Sequence, residues 1–527
     1  MSQRNTMKRK SMELAPASAA RAGLLAAGWL AAAGWLAAPD PLAAAALRAA
    51  PGPLAAQSAR GASDQEIPPQ IVGTWLGTLT VQAGIELRIV FHIDAGEEDG
   101  FTATLDSPDQ GATGIPVDSV EFDGTTVHLT LAAIRGAYEG TLQPDGEHLE
   151  GEWTQGGASL PLDLERVEKV EAARRPQEPK PPFPYASEEV RFPNPEAGIE
   201  LAGTLTLPEG EGPFPAAVLI SGSGPQDRDE ALLGHRPFLV LSDYLTRHGI
   251  AVLRFDDRGV GESGGRFADA TTEDFAGDAL AAAAHLRSVP RVDPEGIGLI
   301  GHSEGGLIAP LAAARSDSIA YVVLMAGPGL PGEEILYLQG EAILRANGVS
   351  EEMIAGQRSV QEGMFAIVRE ETDAEARNAH LREYLAMRLA ELTPEEKAAA
   401  QIPDDVEGWI TAQVARVGTE WFRFFLTHDP RPVLRRVAVP VLAINGELDL
   451  QVPVAENLPA VEAALRDGGN PDVTALELEG LNHLFQHAQT GSPAEYGRIE
   501  ETFAPEAMQA IADWISARFA TPGAPGS

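Results

Sequence analysis

The chain of 527 residues contains no cysteine. That excludes disulfides, thiolate catalysis, cysteine-ligated zinc and a lipid anchor on cysteine. It leaves the compartment open, because many exported proteins have no disulfide. Basic residues are few: 39 Lys and Arg stand against 77 Asp and Glu, for a formal charge of -38. No basic cluster lies in the body of the chain, so nucleic acid and anionic membrane surfaces are repelled. The acidity reads as solubility or adaptation to salt rather than as an acidic binding face. Clustered metal-ligand spacing is missing too, so neither a metal nor an organic cofactor is expected.

What is present begins with an export-like lead. Arg4, Lys8, Arg9, Lys10 and Arg21 precede an uncharged run from Ala22 to Ala38, and alanine-rich segments follow. A basic region, an apolar core and a small-residue cleavage zone make up the layout of a secretory signal. The apolar run of 17 residues is short for a spanning helix, for which about 20 is typical. Residues 1–60 are therefore expected to be a signal peptide and lead, with cleavage near Ala59. The product would be periplasmic or secreted, with no stable membrane span. An uncleaved anchor is the alternative.

Residues 67–166 change character. Short alternating runs such as GTWLGTLTV, IELRIVFHI and TTVHLTL recur between Gly, Asp and Pro. Period-two alternation with turn punctuation predicts about eight antiparallel strands, hence a small barrel or sandwich. Gly73-Thr74-Trp75 resembles the strand-one G-x-W of lipocalin-like barrels, with Trp75 filling a barrel end rather than lining a ligand pocket. Residues 167–187 are proline-rich and predict a linker.

From 188 onward, apolar strands alternate with helical periodicity. That order predicts an α/β core over 188–328 and 437–520, with a mostly parallel sheet covered on both faces. Between 329 and 436 only helical periodicity is found, so this stretch is an insertion and is expected to cap the core.

Gly301-His302-Ser303-Glu304-Gly305 matches the nucleophile elbow G-x-S-x-G. With 54 glycines in the chain, about 0.2 such matches are expected by chance. A second match, Gly261-Glu262-Ser263-Gly264-Gly265, is present. Only Ser303 follows a strand (GIGLIG) and precedes a helix (GGLIAPLAAA), as an elbow requires. Ser263 reads as a loop-stabilising hydroxyl. Acid and base should follow in the order Asp or Glu, then His. Asp449, just past the strand VPVLAING, is the expected acid, with Glu447 as runner-up. His483, just past TALELEG, is the expected base, with His487 as runner-up. The oxyanion donors are expected to be the backbone N–H of Glu304 and that of Ser223 in Ser221-Gly222-Ser223-Gly224, with Gly222 and Gly224 next. Asp227, Arg228 and Asp229 read as a local ion pair bracing that loop.

In order and spacing, SGSGPQDRD, RFDDRGVGES, GHSEGG, NGELDLQVP and LNHLF resemble the α/β-hydrolase superfamily. They are similar to its bacterial carboxylesterase, dienelactone-hydrolase-like and serine aminopeptidase-like branches. The resemblance covers residues 188–520. It implies hydrolysis of an acyl bond through an acyl-serine, and a structural role for Asp256, Asp257 and Arg258. The expected activity is a carboxylic ester hydrolase acting on a small acyl ester. A peptidase of the aminopeptidase type is the alternative, and would need an acid such as Glu333, Glu334 or Glu341 to hold the substrate amine. A non-catalytic binding protein on a hydrolase scaffold is the third reading. The long helical insertion departs from compact family members, so the substrate is left open.

Overall fold

The computed structural model describes residues 71–519 except 83–84, 97–99, 111, 135, 156–157, 171–173, 395–396, 398–401 and 403–404. The proposed signal peptide lies outside the described residues.

The first unit is antiparallel. Its strands are β1 (Gly73–Gln82), β2 (Ile85–Ala95), β3 (Phe101–Ser107), β4 (Ala112–Pro116) and β5 (Ser119–Phe122). They continue with β6 (Thr126–Leu131), β7 (Gly136–Leu142), β8 (His148–Gln155), β9 (Ala158–Pro161) and β10 (Leu164–Val167). The path runs β4-β3-β2-β1-β10-β8-β7-β6-β5, with β9 beside β8. Val117 after β4 donates its amide to Ala103 O of β3 at 3.1 Å, and β5, at the far end of the path, also approaches β3. Alternate residues are buried, as in β6, because one face of the sheet covers the core. Phe91, Tyr138 and Trp153 meet there, with ring centroids of Phe91 5.6 Å from Tyr138 and 6.2 Å from Trp153. Trp75 is fully buried. It donates Nε1–H to Ile71 O at 2.8 Å and lies under the Arg166 guanidinium. Sequence alternation misses two strands. Gly114 and Pro116 make β4 read as a turn, and β10 (LERV) is short and charged.

The second unit is an eight-stranded sheet. Its strands are β11 (Ala186–Asn194), β12 (Ile199–Leu207), β13 (Phe214–Ile220), β14 (Ala251–Phe255), β15 (Val292–His302), β16 (Tyr321–Met325), β17 (Val441–Gly446) and β18 (Val473–Leu478). The order is β11-β12-β14-β13-β15-β16-β17-β18. β11 and β12 form an antiparallel hairpin, and every pairing from β14 onward is parallel. β14 and β16 are buried along their whole length, because helices cover both faces. One face carries α1 (Pro237–Arg247) and the C-terminal helix Pro505–Phe519. The other carries α2 (Thr272–Arg287), α3 (Gly305–Ala313) and the insertion.

Between β16 and β17 lie α4 (Gly332–Ala346), α5 (Glu351–Glu370), α6 (Ala374–Ala390), α7 (Val406–Val417), α8 (Glu420–Thr427) and α9 (Arg431–Leu434). Helices α5 to α8 start at Ser350, Asp373, Asp405 and Thr419, each accepting an amide of its first turn. Such caps satisfy orphan N–H groups and fix where each helix begins. The buried Phe365, Trp421, Phe422 and Phe425 join the insertion to the core. Among the described residues no helix is long and apolar enough to cross a membrane.

The linker is not loose. Besides the Arg174 carbonyl at 3.1 Å, the Arg175 guanidinium donates to four carbonyls of the second unit, Leu233 and Gly497 at 2.9 Å and Gly234 and Ile499 at 3.2 Å. It thereby ties the loop after β13 to the loop after β18. Arg498 also reaches Glu86 of the first sheet at 2.6 Å.

Candidate active site

Ser303 follows the strand β15 directly and precedes α3, with a left-handed backbone at φ 52°. A residue with a side chain is strained there, and only the surrounding packing holds it. That packing requires glycine on both sides. A Cβ at Gly301 would overlap the Gly305 carbonyl, and one at Gly305 would overlap the Ile220 carbonyl of β13. Ser263 is elsewhere. Its hydroxyl donates to Asp256 O at 2.7 Å and accepts the Ala202 amide at 2.9 Å, which makes it part of the loop's scaffold.

Asp449 and His483 are brought together from the ends of β17 and β18. Their Oδ2 and Nδ1 are 2.8 Å apart, and both side chains are buried. Asp449 Oδ1 accepts the amides of Gln451 and Val452 at 2.8 Å, and Asn445 Nδ2 reaches Oδ2 at 3.3 Å. A carboxylate so supplied with donors faces Nδ1–H, which leaves Nε2 of His483 as an acceptor. Among the described residues, neither Nε2 nor Ser303 Oγ has a hydrogen-bond partner. His302, the neighbour of Ser303, does touch His483. Its Nε2 lies 3.0 Å from the His483 carbonyl, and the two rings are 4.8 Å apart. The runners-up are placed otherwise. Glu447 accepts the Gly480 amide at the surface. His487 is exposed and pairs with Glu501 and Glu506.

The loop after β13 closes on Ser303 from the other side. A Cβ at Gly222 would stand 3.3 Å from the Ser303 Cβ. The Gly222 amide is taken, however, because it donates to Glu230 Oε1 at 2.6 Å. This corrects the expectation that Gly222 could serve as an oxyanion donor. Among the described residues, the amides of Ser223 and Glu304 donate to no protein acceptor. Asp227, Arg228 and Asp229 brace the loop: Arg228 reaches Asp256 at 2.7 Å and also pairs with Glu189, and Asp229 pairs with Arg254.

Glu304 has a buried carboxyl that accepts from Thr272 Oγ1 at 2.7 Å and from Trp421 Nε1 of α8 at 2.8 Å. Burial raises its pKa above the usual carboxylate range, and those hydrogen bonds oppose the rise. Ser223 Oγ comes close enough to favour the ionised form, yet without good hydrogen-bond geometry. Nothing in the sequence marks Trp421 or Glu304 as partners. Beside Gly222 a narrow cleft, partly open to solvent, is lined by Phe255, Phe267, Phe275, Ile308 and Asp257. Asp257 lies deep, although one face opens on the cleft. Burial holds its carboxyl well above the usual range, against hydrogen bonds from the Gln226 amide and Ser221.

The sheet order and the strand–Ser303–helix elbow are those of an α/β hydrolase. Residues 237–487 match the family model described as serine aminopeptidase, S33. The curated esterase EstD of Thermotoga maritima is 28% identical over 324 residues, which is 60% of this chain and 65% of that protein. The match thus spans just under two-thirds of the relative. Among solved structures, Pyrococcus furiosus esterase Pf2001 is 18% identical with a TM-score of 0.39, covering 67% of this chain and 100% of that one. Est1E from Butyrivibrio proteoclasticus, solved with ferulic acid bound, is 18% identical with a TM-score of 0.36, covering 63% of this chain and 100% of that one. The chain is therefore similar to the esterase and serine aminopeptidase branch of these hydrolases.

Proposed function

We propose that the protein hydrolyses carboxylic esters through an acyl-serine, with Ser303 as nucleophile, His483 as general base and Asp449 as the acid that orients it. The observation that carries this is the 2.8 Å contact of His483 Nδ1 with Asp449, made at the sheet edge where Ser303 turns into its strained elbow. A serine hydroxyl reacts only with an adjacent base. His483 Nε2, free of protein partners, takes that proton as Ser303 attacks the carbonyl. Asp449 stabilises the imidazolium that results. The unpaired amides of Ser223 and Glu304 hold the oxyanion. As the tetrahedral intermediate collapses to the acyl-serine, the imidazolium gives its proton to the departing alcohol. Water then attacks the acyl-serine with the neutral His483 again as base, and the acid leaves as Ser303 takes the proton back. A serine–histidine hydrogen bond that forms only around substrate is ordinary for such sites.

The insertion acts as a cap, tied to the elbow through Trp421 and Glu304. The cleft beside Gly222 leaves only about 10 Å³ open to water, roughly the room for one water molecule, so short acyl groups are favoured. The serine aminopeptidase match keeps a peptidase reading in play. Against it, Glu333 pairs with Arg369 and Glu341 with Arg358, while Glu334 is exposed. Two of the three named acids are thus neutralised within the insertion itself. The product is exported after loss of residues 1–60, which N-terminal sequencing of the mature protein tests.

The decisive experiment is labelling with a fluorophosphonate, followed by mass spectrometry and by assays of p-nitrophenyl esters against aminoacyl nitroanilides. An adduct on Ser303, with acetyl and butyryl esters turned over faster than palmitoyl esters or nitroanilides, is expected. Ester turnover that survives in Ser303→Ala would sink the assignment.

A further inference from the structure

Glu230 lies in the loop after β13, seven residues beyond Ser223. Its backbone is left-handed at φ 52°, and it is 5% exposed. One of its oxygens does two jobs. Oε1 accepts the Gly222 amide at 2.6 Å and meets His302 Nδ1 at 2.9 Å. The other His302 nitrogen, Nε2, faces the His483 carbonyl at 3.0 Å. A carbonyl oxygen only accepts, so Nε2 carries a proton. Nδ1 faces a carboxyl oxygen and carries one too if Glu230 is ionised. Burial alone would lower the pKa of His302, but the Glu230 carboxylate, helped by the His483 carbonyl and Asp449, raises it above its ordinary value. The remaining charged group that acts on the ring is Asp449. Pro237, Met325, Leu484, Phe485 and Phe503 border the pair, and in so apolar a setting the attraction is little screened.

Each contact ends on a different part of the site. Glu230 occupies the Gly222 amide, and the next amide, that of Ser223, is left without a protein acceptor. His302 is bonded to Ser303 through the chain. The His483 carbonyl belongs to the proposed base. The three parts come from three distant segments, and this one ion pair touches all of them.

We propose that Glu230 and His302 are positioning residues, a buried carboxylate–imidazolium pair that holds the oxyanion loop, the elbow and the backbone of His483 in mutual register. This rests on the reading of Ser303 as nucleophile given above. An ion pair with a packing role alone would affect stability. A positioning pair also affects kcat, because the donors must sit where the oxyanion forms.

The test is Glu230→Gln in the full chain, which keeps an oxygen for the Gly222 amide and removes the charge. With p-nitrophenyl acetate, kcat is expected to fall about tenfold to a hundredfold, less than for outright loss of an oxyanion donor. KM should stay within about threefold, the signature of an effect made in the transition state. Affinity for a trifluoromethyl ketone, which forms a tetrahedral adduct on serine, should fall in step with kcat/KM. A folded Glu230→Gln protein with kcat within about twofold of the parent overturns the proposal. If that variant does not fold, NMR of the parent protein labelled with 15N-histidine decides. Protons on both His302 nitrogens at neutral pH support the pair, and a bare nitrogen overturns it. Fluorophosphonate labelling of the parent keeps the two readings apart. A parent protein not labelled at Ser303 removes the nucleophile reading, and this proposal with it. A labelled parent with an unaffected Glu230→Gln variant removes this proposal alone.

Discussion

Beside Ser303, His483 gives one nitrogen to Asp449 and keeps the other without a protein partner. His302, whose ring lies 4.8 Å from that of His483, gives one nitrogen to Glu230 and the other to the His483 carbonyl. Both are buried histidine–carboxylate pairs of similar length. They differ in the nitrogen left over. An imidazole with a free acceptor can take a proton, whereas one with both nitrogens engaged can only hold its surroundings. A third buried histidine makes the role of the carboxylate visible. His235 contacts Thr502 Oγ1, the Tyr496 carbonyl and Gln486, with no anion among these contacts and Arg175 nearby. There burial prevails and lowers its pKa to about 4. On the proposed assignments, the same residue type serves as base, brace or neutral linker according to what faces the ring.

That comparison can be broken most directly at His483. His483→Ala should lower kcat/KM for p-nitrophenyl esters by about 10⁴-fold or more, far beyond any effect on the His302 side. Asp449→Asn comes next, at about 10³- to 10⁴-fold, because the amide no longer enforces the Nδ1–H tautomer. A loss below about tenfold would mean that the two pairs do not differ in kind.

The His235 contrast is sharpened by acid. Its folded pKa lies below its unfolded value, so neutral His235 favours the fold fully above about 6.5. The advantage is lost as pH falls from there toward about 4, where the folded form also takes up a proton. The difference is worth at most about 3 kcal/mol. Urea unfolding at pH 7 and pH 5, compared with a His235→Gln variant, checks it. A variant with the parent's pH dependence would exclude His235 as the cause.

The smallest effect concerns Glu304, a buried carboxyl that has hydroxyl and indole donors in place of an imidazole. Trp421→Phe keeps an aromatic ring but removes the indole N–H donor together with part of the buried volume. The expected cost is roughly 1 to 2 kcal/mol of stability, read as a lowered thermal midpoint, with kcat reduced by less than about tenfold. An unchanged midpoint would mean that the indole does not hold the insertion to the elbow.

Much of this molecule was legible from local pattern. The fold class followed from the strand–helix order, which uses short stretches of periodicity. Ser303, Asp449 and His483 could be named because each stands just past an apolar strand with its own flanking signature. The two short strands β4 and β10 were not legible, because Gly, Pro and charge hide a strand that pairing alone stabilises. Glu230 was also hidden. It is a single glutamate in an acidic loop, 72 residues from His302, with no motif linking the two.

By itself, then, the sequence determined the doubly covered sheet and the elbow with its obligatory glycines, and it pointed to the three residues proposed for acyl transfer. Each of these depends on a few adjacent residues, where backbone geometry and periodicity leave little choice. Only the tertiary structure decided which amide of the loop after β13 stays free, which carboxylate meets which imidazole, and that Trp421 of the insertion reaches Glu304. Those outcomes depend on side chains from remote segments sharing one low-polarity space. There the favourable state of each group is set by partners that its own stretch of chain does not contain.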